Sequence, residues 1–562
     1  MTAPKLMILG MDGATFTIID RLVAQGKLPH LADLLARGTA GPLLSTVPPH
    51  TAAAWPTFLT GLEPGRHGIL NFDEVTVGGY GAGARLVTSA AIAGRTFLDV
   101  ASKAGLRVAA VRVPMTYPAW PVNGVLISGY PSPEQGDFTY PRTLSASVPG
   151  MRDPSDAPSP QARADLLLDE VRQTTAIGHD LLAGGPLDVF AVVYQQSDVA
   201  HHWFWRYMDP ASPAYDPAEA QGLGTVIEQV YRAIDAGIGD LLTFAGPDTT
   251  VLVVSDHGGC LAASRQFHLN VWLQSLGLLA RKPVSLSARA YALRTRLIPP
   301  RARAWLKRQL GGALSAKAGA ATEAFYFNLQ DLDWSHTQAY RFAITAEVEG
   351  IMLNVAGRQP WGIVQPGDEV NKLRERIIRD LRALLTPEGE PLVRALYRRE
   401  DLFADELDAR CPDLVVIFHP AFRGGRALTG SIFSAVPLKD LEHNQGGWHE
   451  PEGILIAAGQ QIAARRIEHA RLLDMAPTIL ATLGVPVPAA MSGSVLVELA
   501  GSEGERLAAT SPSEAAHAFT PTAGDAEDDG AMASVGAANS SSRLSAEEEE
   551  SVRERLRNLG YL

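Results

Sequence analysis

The chain has 562 residues, 46% of them hydrophobic and 20% charged, with a formal net charge of −12. That length exceeds one ordinary compact domain and suits a large α/β enzyme with insertions; the negative balance, much of it in residues 501–562, argues against a nucleic-acid polymer as partner. The two cysteines, Cys260 and Cys411, exclude a disulfide framework and disfavour a thiolate zinc site, so any metal must be held by Asp, His and hydroxyl groups.

Residues 6–10 form an apolar run that reads as a buried strand leading to Asp12, and 16–37 carry helical periodicity ending at Gly38. The first residues read as a core strand rather than a signal segment, and no run of 18 apolar residues follows, so a soluble, cytoplasmic protein is expected. Strands are expected at 107–113 and 124–128, a Pro/Ser/Asp-rich loop at 153–163, a helix at 164–182, a strand at 189–194, a helix at 223–244 and a strand at 251–254. This alternation predicts an α/β fold, a mostly parallel central sheet with helices on both faces.

Residues 281–335 interrupt the rhythm with a basic stretch that includes Arg289, Arg294, Arg301 and Lys307 and is broken by Pro299-Pro300. It reads either as a solvated helical insertion or as a cap whose cations attract an anionic substrate. Short alternating segments return at 339–355, then a helix at 368–385, strands at 414–418 and 453–458, and a helix at 471–483. The expected organisation is one catalytic domain over 1–500 carrying the insertion, a low-complexity, disordered linker at 501–543, and a charged C-terminal helix at 544–562 for docking or homo-oligomerisation.

Three of the strand-like runs end in aspartates: Asp12, Asp198 and Asp256. Ligands in open α/β sheets bind beyond the carboxyl ends of the strands. Asp198 and His202 are four apart, which on a helix puts both on one face as a chelating pair, though Asp198 alone also suits a helix N-terminus. Asp256 and His257 would point to opposite faces of a straight strand, but Gly258-Gly259 allows a bend that brings both into one pocket. His449 lies in a glycine-rich stretch before the 453–458 strand. Thr51 follows Pro48-Pro49 at the start of a small-residue run; it suits a plain N-cap, or a hydroxyl that attacks phosphorus beside a metal. Together these residues make two sets without cysteine: Asp198, His202 and His449, and Asp12, Thr51, Asp256 and His257.

The segment PPHTAAAWPTFLTGLEPGRHGI resembles the nucleophile region of the alkaline phosphatase superfamily, in its type I phosphodiesterase/nucleotide pyrophosphatase branch. The resemblance continues through MILGMDG, SDVAHH, SDHGG, GGWHEPEGI and DMAPTILATLGVPVP, over about residues 5–498. It implies Thr51 as nucleophile and ligand to a second divalent ion held with Asp12, Asp256 and His257, and a first ion held by Asp198, His202 and His449. Zn²⁺ is the ion it implies first, with Mn²⁺ as the other. It implies hydrolysis of a small-molecule phosphoester, a phosphodiester or nucleotide-like compound, through a phospho-threonine.

Two positions depart from the pattern. The similar pyrophosphatases carry an asparagine three residues after the nucleophile, where this chain has Ala54, and Asn71 and Arg112 are candidates to contact the substrate in its place. His50 precedes Thr51 and is either a bystander or a proton carrier. The competing readings are a phosphomutase similar to cofactor-independent phosphoglycerate mutase, against which Thr51 in place of serine argues, and a non-catalytic binding protein that keeps the fold.

Overall fold

The computed structural model describes residues 3–73, 85–282, 331–345, 347–403, 411–443, 446–500 and 544–558. The apolar runs become strands wherever both faces can be covered. β1 (Leu6–Met11), β2 (Thr39–Leu44), β3 (Val108–Val113), β4 (Gly124–Ser128), β5 (Thr139–Tyr140), β6 (Val189–Tyr194) and β7 (Thr250–Val254) enter one central sheet. β8 (Gly258–Leu261) and β9 (Arg265–Phe267) leave it, and β10 (Ala339–Ala343), β11 (Val348–Leu353), β12 (Val393–Arg398) and β13 (Leu414–Phe418) build another. β14 (Phe422–Gly424) and β15 (Phe433–Ala435) flank β9, β16 (Gly447–Glu450) pairs with β8, and β17 (Glu452–Ala458), β18 (Arg465–Arg466) and β19 (Ala470–Arg471) return to the central sheet.

The central order is β18-β2-β17-β7-β1-β6-β3-β4-β5, with β19 also on β2. β7, β1, β6, β3 and β4 are parallel, whereas β17 runs antiparallel between β7 and β2. Every residue of β1 and β6 is buried, as the continuous apolar runs of a doubly covered parallel sheet require. This α/β architecture agrees with the expected fold class. β1 lies between β6 and β7, so the carboxyl ends that deliver Asp12, Asp198 and Asp256 are neighbours.

The helix expected at 16–37 is two helices, Phe16–Ala24 and Pro29–Arg37, separated at Gly26 (φ +68°) and restarted by a proline at its first turn. The expected loop at 153–163 is shorter, since a long helix already begins at Pro160 under a Ser159 cap.

The described residues between 265 and 435 add a second lobe. β10-β11-β13-β12 form an antiparallel sheet packed on the helix Asp368–Arg382, and the lobe has its own core, with Phe267, Ile377, Leu381 and Leu414 fully buried. The basic interruption expected at 281–335 falls largely on 283–330, outside the described residues, as do the 501–543 linker and the last residues of the tail. The tail helix spans Ala546–Asn558 and packs on its own chain, placing Val552 and Leu556 in the main core. No helix among the described residues is long and apolar enough to cross a membrane.

Candidate active site

β1 runs into Asp12, whose carboxylate is fully buried. Trp55 Nε1 donates to its Oδ2 at 2.9 Å and holds the plane, which leaves Oδ1 toward Thr51 Oγ (3.4 Å). Thr51 opens the helix Thr51–Thr60, but it is not the N-cap. The cap is His50, in extended backbone (φ −144°, ψ 134°), whose Nδ1 accepts from the Ala52 amide at 3.3 Å. The threonine hydroxyl is thereby released from capping and lies between Asp12 and His257 Nε2 (3.3 Å). The same bond gives His50 a structural role, and burial, then the imidazoles of His449 and His257, push its pKa well below the ordinary value.

β6 runs into the helix Gln196–Met208, with Asp198 in its first turn. Helical spacing sets His202 Nε2 3.3 Å from Asp198 Oδ2. Ser197 Oγ donates to the Asp12 carbonyl at 2.7 Å and pins this turn to the end of β1. Gly13, between them, has φ +66°, and a Cβ there would lie 2.8 Å from Asp198 Oδ1, so only glycine fits.

After β7 the chain bends at the expected glycines, and Asp256 and His257 converge, Oδ2 to Nε2 3.4 Å. His257 Nδ1 donates to the Gly258 carbonyl (3.0 Å), which fixes the tautomer and points the Nε2 lone pair into the site. Asp256 Oδ1 accepts from the Gly13 amide (3.3 Å), while its buried Oδ2 has no hydrogen-bond partner. β16 pairs antiparallel with β8 and lays His449 opposite Gly259. His449 Nε2 is then 3.1 Å from His202 Nε2 and 3.8 Å from Asp198 Oδ1.

Seven of the residues singled out in the sequence are thus brought together: Asp12, Thr51, Asp198, His202, Asp256, His257 and His449. Their electrostatics call for cations. Burial, then repulsion from Asp198, pushes the Asp256 carboxyl up to about 7, and burial followed by Asp256 and Asp198 raises that of Asp12 well above the usual range. Burial acts the same way on Asp198, but the imidazoles of His202, His449 and His257 outweigh it and hold its pKa well below normal. Ligand atoms of Asp12, Asp256 and His257, and of Asp198, His257 and His449, lie within 4.8 Å of one another. A donor set of carboxylate oxygen, imidazole nitrogen and one hydroxyl, with an orphaned buried carboxylate oxygen, fits divalent ions that accept mixed O/N ligands.

Asn71 and Arg112 make their hydrogen bonds to groups other than the seven of this cluster. Asn71 Nδ2 donates to the Ile344 carbonyl (2.7 Å) and its Oδ1 accepts from the Phe72 amide (2.7 Å), so both ends of the amide are engaged with backbone. Arg112 sits where the β3–β4 register shifts, with φ +56°, and this irregularity turns its side chain onto the helix Pro160–Ala183. There it pairs with Glu170 (2.7 Å) and donates to Thr174 (2.7 Å). These bonds commit both side chains to partners within the protein. Trp55 and Glu347 were missed; Glu347 Oε1 lies 3.0 Å from His449 Nδ1. A tryptophan in an apolar helix and a glutamate in a distant hairpin give no spacing signal toward the site.

A buried hydroxyl at a helix start, flanked by two Asp/His sets beyond the ends of parallel strands, defines a metal-dependent phosphoester hydrolase. The family model described as type I phosphodiesterase / nucleotide pyrophosphatase matches residues 6–450, and the chain belongs to that family. Among solved structures the chain is similar to human ectonucleotide pyrophosphatase / phosphodiesterase 5, with 13% identity, 88% of this chain and 97% of that chain covered, and a TM-score of 0.46. It is also similar to phosphonoacetate hydrolase from Sinorhizobium meliloti 1021 in complex with phosphonoformate, with 15% identity, 84% and 94% covered, and a TM-score of 0.48. A comparison with curated proteins gives no match.

Proposed function

We propose that this protein hydrolyses a small-molecule phosphodiester or nucleotide-like phosphoester through a covalent phospho-threonine at Thr51. The observation that carries the reading is the position of Thr51 Oγ, 3.4 Å from Asp12 and 3.3 Å from His257, at the first residue of a helix. Asp198, His202 and His449 would hold one divalent ion, and Asp12, Thr51, Asp256 and His257 the other, Zn²⁺ first and Mn²⁺ second. When bound, the pair supplies acidification of the threonine hydroxyl and neutralisation of charge on the phosphoryl oxygens and the leaving oxygen.

The chain's own residues supply orientation and exclusion of water. Trp55 fixes the Asp12 carboxylate, and the Gly258 carbonyl fixes the His257 tautomer. Thr51 is buried, so bulk water is kept from its oxygen. The oxygen adds to phosphorus as the ester bond to the leaving alcohol breaks; water then cleaves the threonine ester and restores the hydroxyl. A shallow cleft between the lobes, lined by Pro49, Glu347, Arg394, Arg423, Trp448 and His449, opens beside the first ligand set and is the proposed leaving-group side. Its walls mix apolar and aromatic side chains with Arg394, paired to Glu450, and Arg423, paired to Asp440, which suits an organic leaving group with a polar edge.

Thr51→Ala is expected to abolish hydrolysis of a chromogenic phosphodiester while both ions remain bound. Unchanged turnover in that variant would sink the reading. A panel of mono- and diesters with Zn²⁺ and with Mn²⁺ then ranks substrates, and ¹⁸O from labelled water is expected in the phosphoryl product.

A further inference from the structure

A histidine that ligates through Nε2 must carry its proton on Nδ1, and the group accepting that proton fixes the ring's tautomer and angle. His257 has such an acceptor in the next residue, the Gly258 carbonyl. For His449 the facing group is a carboxylate in ion-pair range rather than a carbonyl in an aligned hydrogen bond. The His449 Nε2 faces His202 and Asp198, while its Nδ1 lies 3.0 Å from Glu347 Oε1, on the β10–β11 hairpin of the second lobe. The carboxylate is held there by its neighbours in sequence. Ile344 and Val348 are buried in an apolar cluster with Leu70 of the catalytic lobe, and the Ile344 carbonyl accepts from Asn71, one residue further on. The loop that follows the nucleophile helix thus anchors the hairpin whose glutamate reaches the opposite ligand set.

We propose that Glu347 is a positioning residue for the first ion: its carboxylate holds His449 with Nδ1 protonated and Nε2 directed at Asp198 and His202, so that docking of the second lobe completes that site. The inference rests on the phosphohydrolase reading above. It makes the first site, and not the second, depend on the lobe interface. It also assigns the buried carboxylate a role that a direct ligand would not have, because it touches the ring nitrogen facing away from the cluster.

The test is Zn²⁺ binding to the metal-free full-length chain, measured by competition with a chromogenic chelator. The parent is expected to bind two ions. Glu347→Ala is expected to lower the affinity of one by about 10- to 100-fold, as loss of an outer-shell partner does, and to leave the other unchanged. Glu347→Gln, which keeps an acceptor oxygen, is expected to lower the same affinity by less. Turnover of a chromogenic diester should fall in kcat at limiting Zn²⁺, recover with excess Zn²⁺ and keep its KM. The melting temperature of the metal-free variants should match the parent. Equal affinities in parent and both variants would overturn the inference alone, as would equal losses at both sites with a lowered melting temperature. A parent that takes up no ion would overturn the metal reading and this inference with it. If Glu347→Ala does not fold, Glu347→Gln decides by the same criteria.

Discussion

The hydroxyl of Thr51 lies 3.3 Å from Nε2 of His257, although 206 positions separate the two residues. The contact exists because β7 lies beside β1 and because His50, not Thr51, caps the nucleophile helix. Thr51→Ser keeps the oxygen and removes the methyl that restricts χ1. Its expected cost is on the order of tenfold in kcat, about 1.4 kcal/mol, against loss of several orders of magnitude for Thr51→Ala. Steady-state kinetics on one chromogenic ester separate the two. A serine variant as inactive as the alanine variant would contradict a role for the hydroxyl oxygen.

Asp256 makes the site costly to the metal-free fold. Its carboxyl is pushed up to about 7 by burial and by Asp198, so above that pH the folded chain carries an anion it disfavours, and below it the group is neutral. A carboxyl raised in the folded state binds protons that the unfolded chain releases, so its penalty is absent below the unfolded value of about 4, grows as pH rises from there to about 7, and is constant above. Asp256→Asn is therefore expected to stabilise the metal-free protein at pH 8 by a few kcal/mol, on the order of the shift itself, and by much less at pH 5. With Zn²⁺ present the order should reverse, because the parent gains binding energy that the amide cannot supply. Thermal melts at both pH values, with and without ion, check all four signs.

Gly13→Ala tests the packing of the first turn against Asp198. The position has φ +66°, and the new methyl would meet Asp198 Oδ1 at 2.8 Å. Backbone strain of about 1–3 kcal/mol is expected, together with a loss of Zn²⁺ affinity at the Asp198 site. Gly26→Ala has nearly the same φ (+68°) and nothing within 4 Å of the added carbon, so it should show the strain without the metal effect. Equal Zn²⁺ affinity in the two variants would argue against crowding of the ligand.

Much of this site was legible because its ligands sit where apolar strands stop. β4, β6 and β13 coincide with the expected runs, and Asp12, Asp198 and Asp256 follow strands whose adjacency is a property of parallel sheets. Asp198 and His202 obey helical spacing, and the Gly258-Gly259 bend is written in residue type. What was not legible depends on tertiary contact. The register shift at Arg112 reverses the direction that simple alternation would give. β12 is half-exposed and its alternation is too weak to mark a strand. Glu347 reaches His449 from a separate lobe, a contact no local pattern encodes.

The C-terminal helix is expected to stabilise the catalytic lobe rather than only to link copies of the chain. A capping box starts it, with Ser545 Oγ accepting from the Glu548 amide (3.2 Å) and Glu548 Oε2 accepting from the Ser545 amide (2.8 Å). Its apolar face then buries Val552 and Leu556 in the main core, while Arg553 pairs with Asp73 (3.3 Å) and Arg555 donates to the Ser132 carbonyl (2.6 Å). Leu556 is fully buried, so Leu556→Ala should cost about 2–5 kcal/mol, or the smaller docking energy of the helix if it detaches first. Deleting 544–562 uncovers the same face and should lower the melting temperature, and a synthetic 544–562 peptide should restore it in trans. Because Phe72, beside Asp73, packs edge-on against His50 (5.1 Å between ring centroids), the deletion should also reduce turnover through the cap of the nucleophile helix. A truncated chain that melts and turns over like the parent would show that the docked helix contributes to neither.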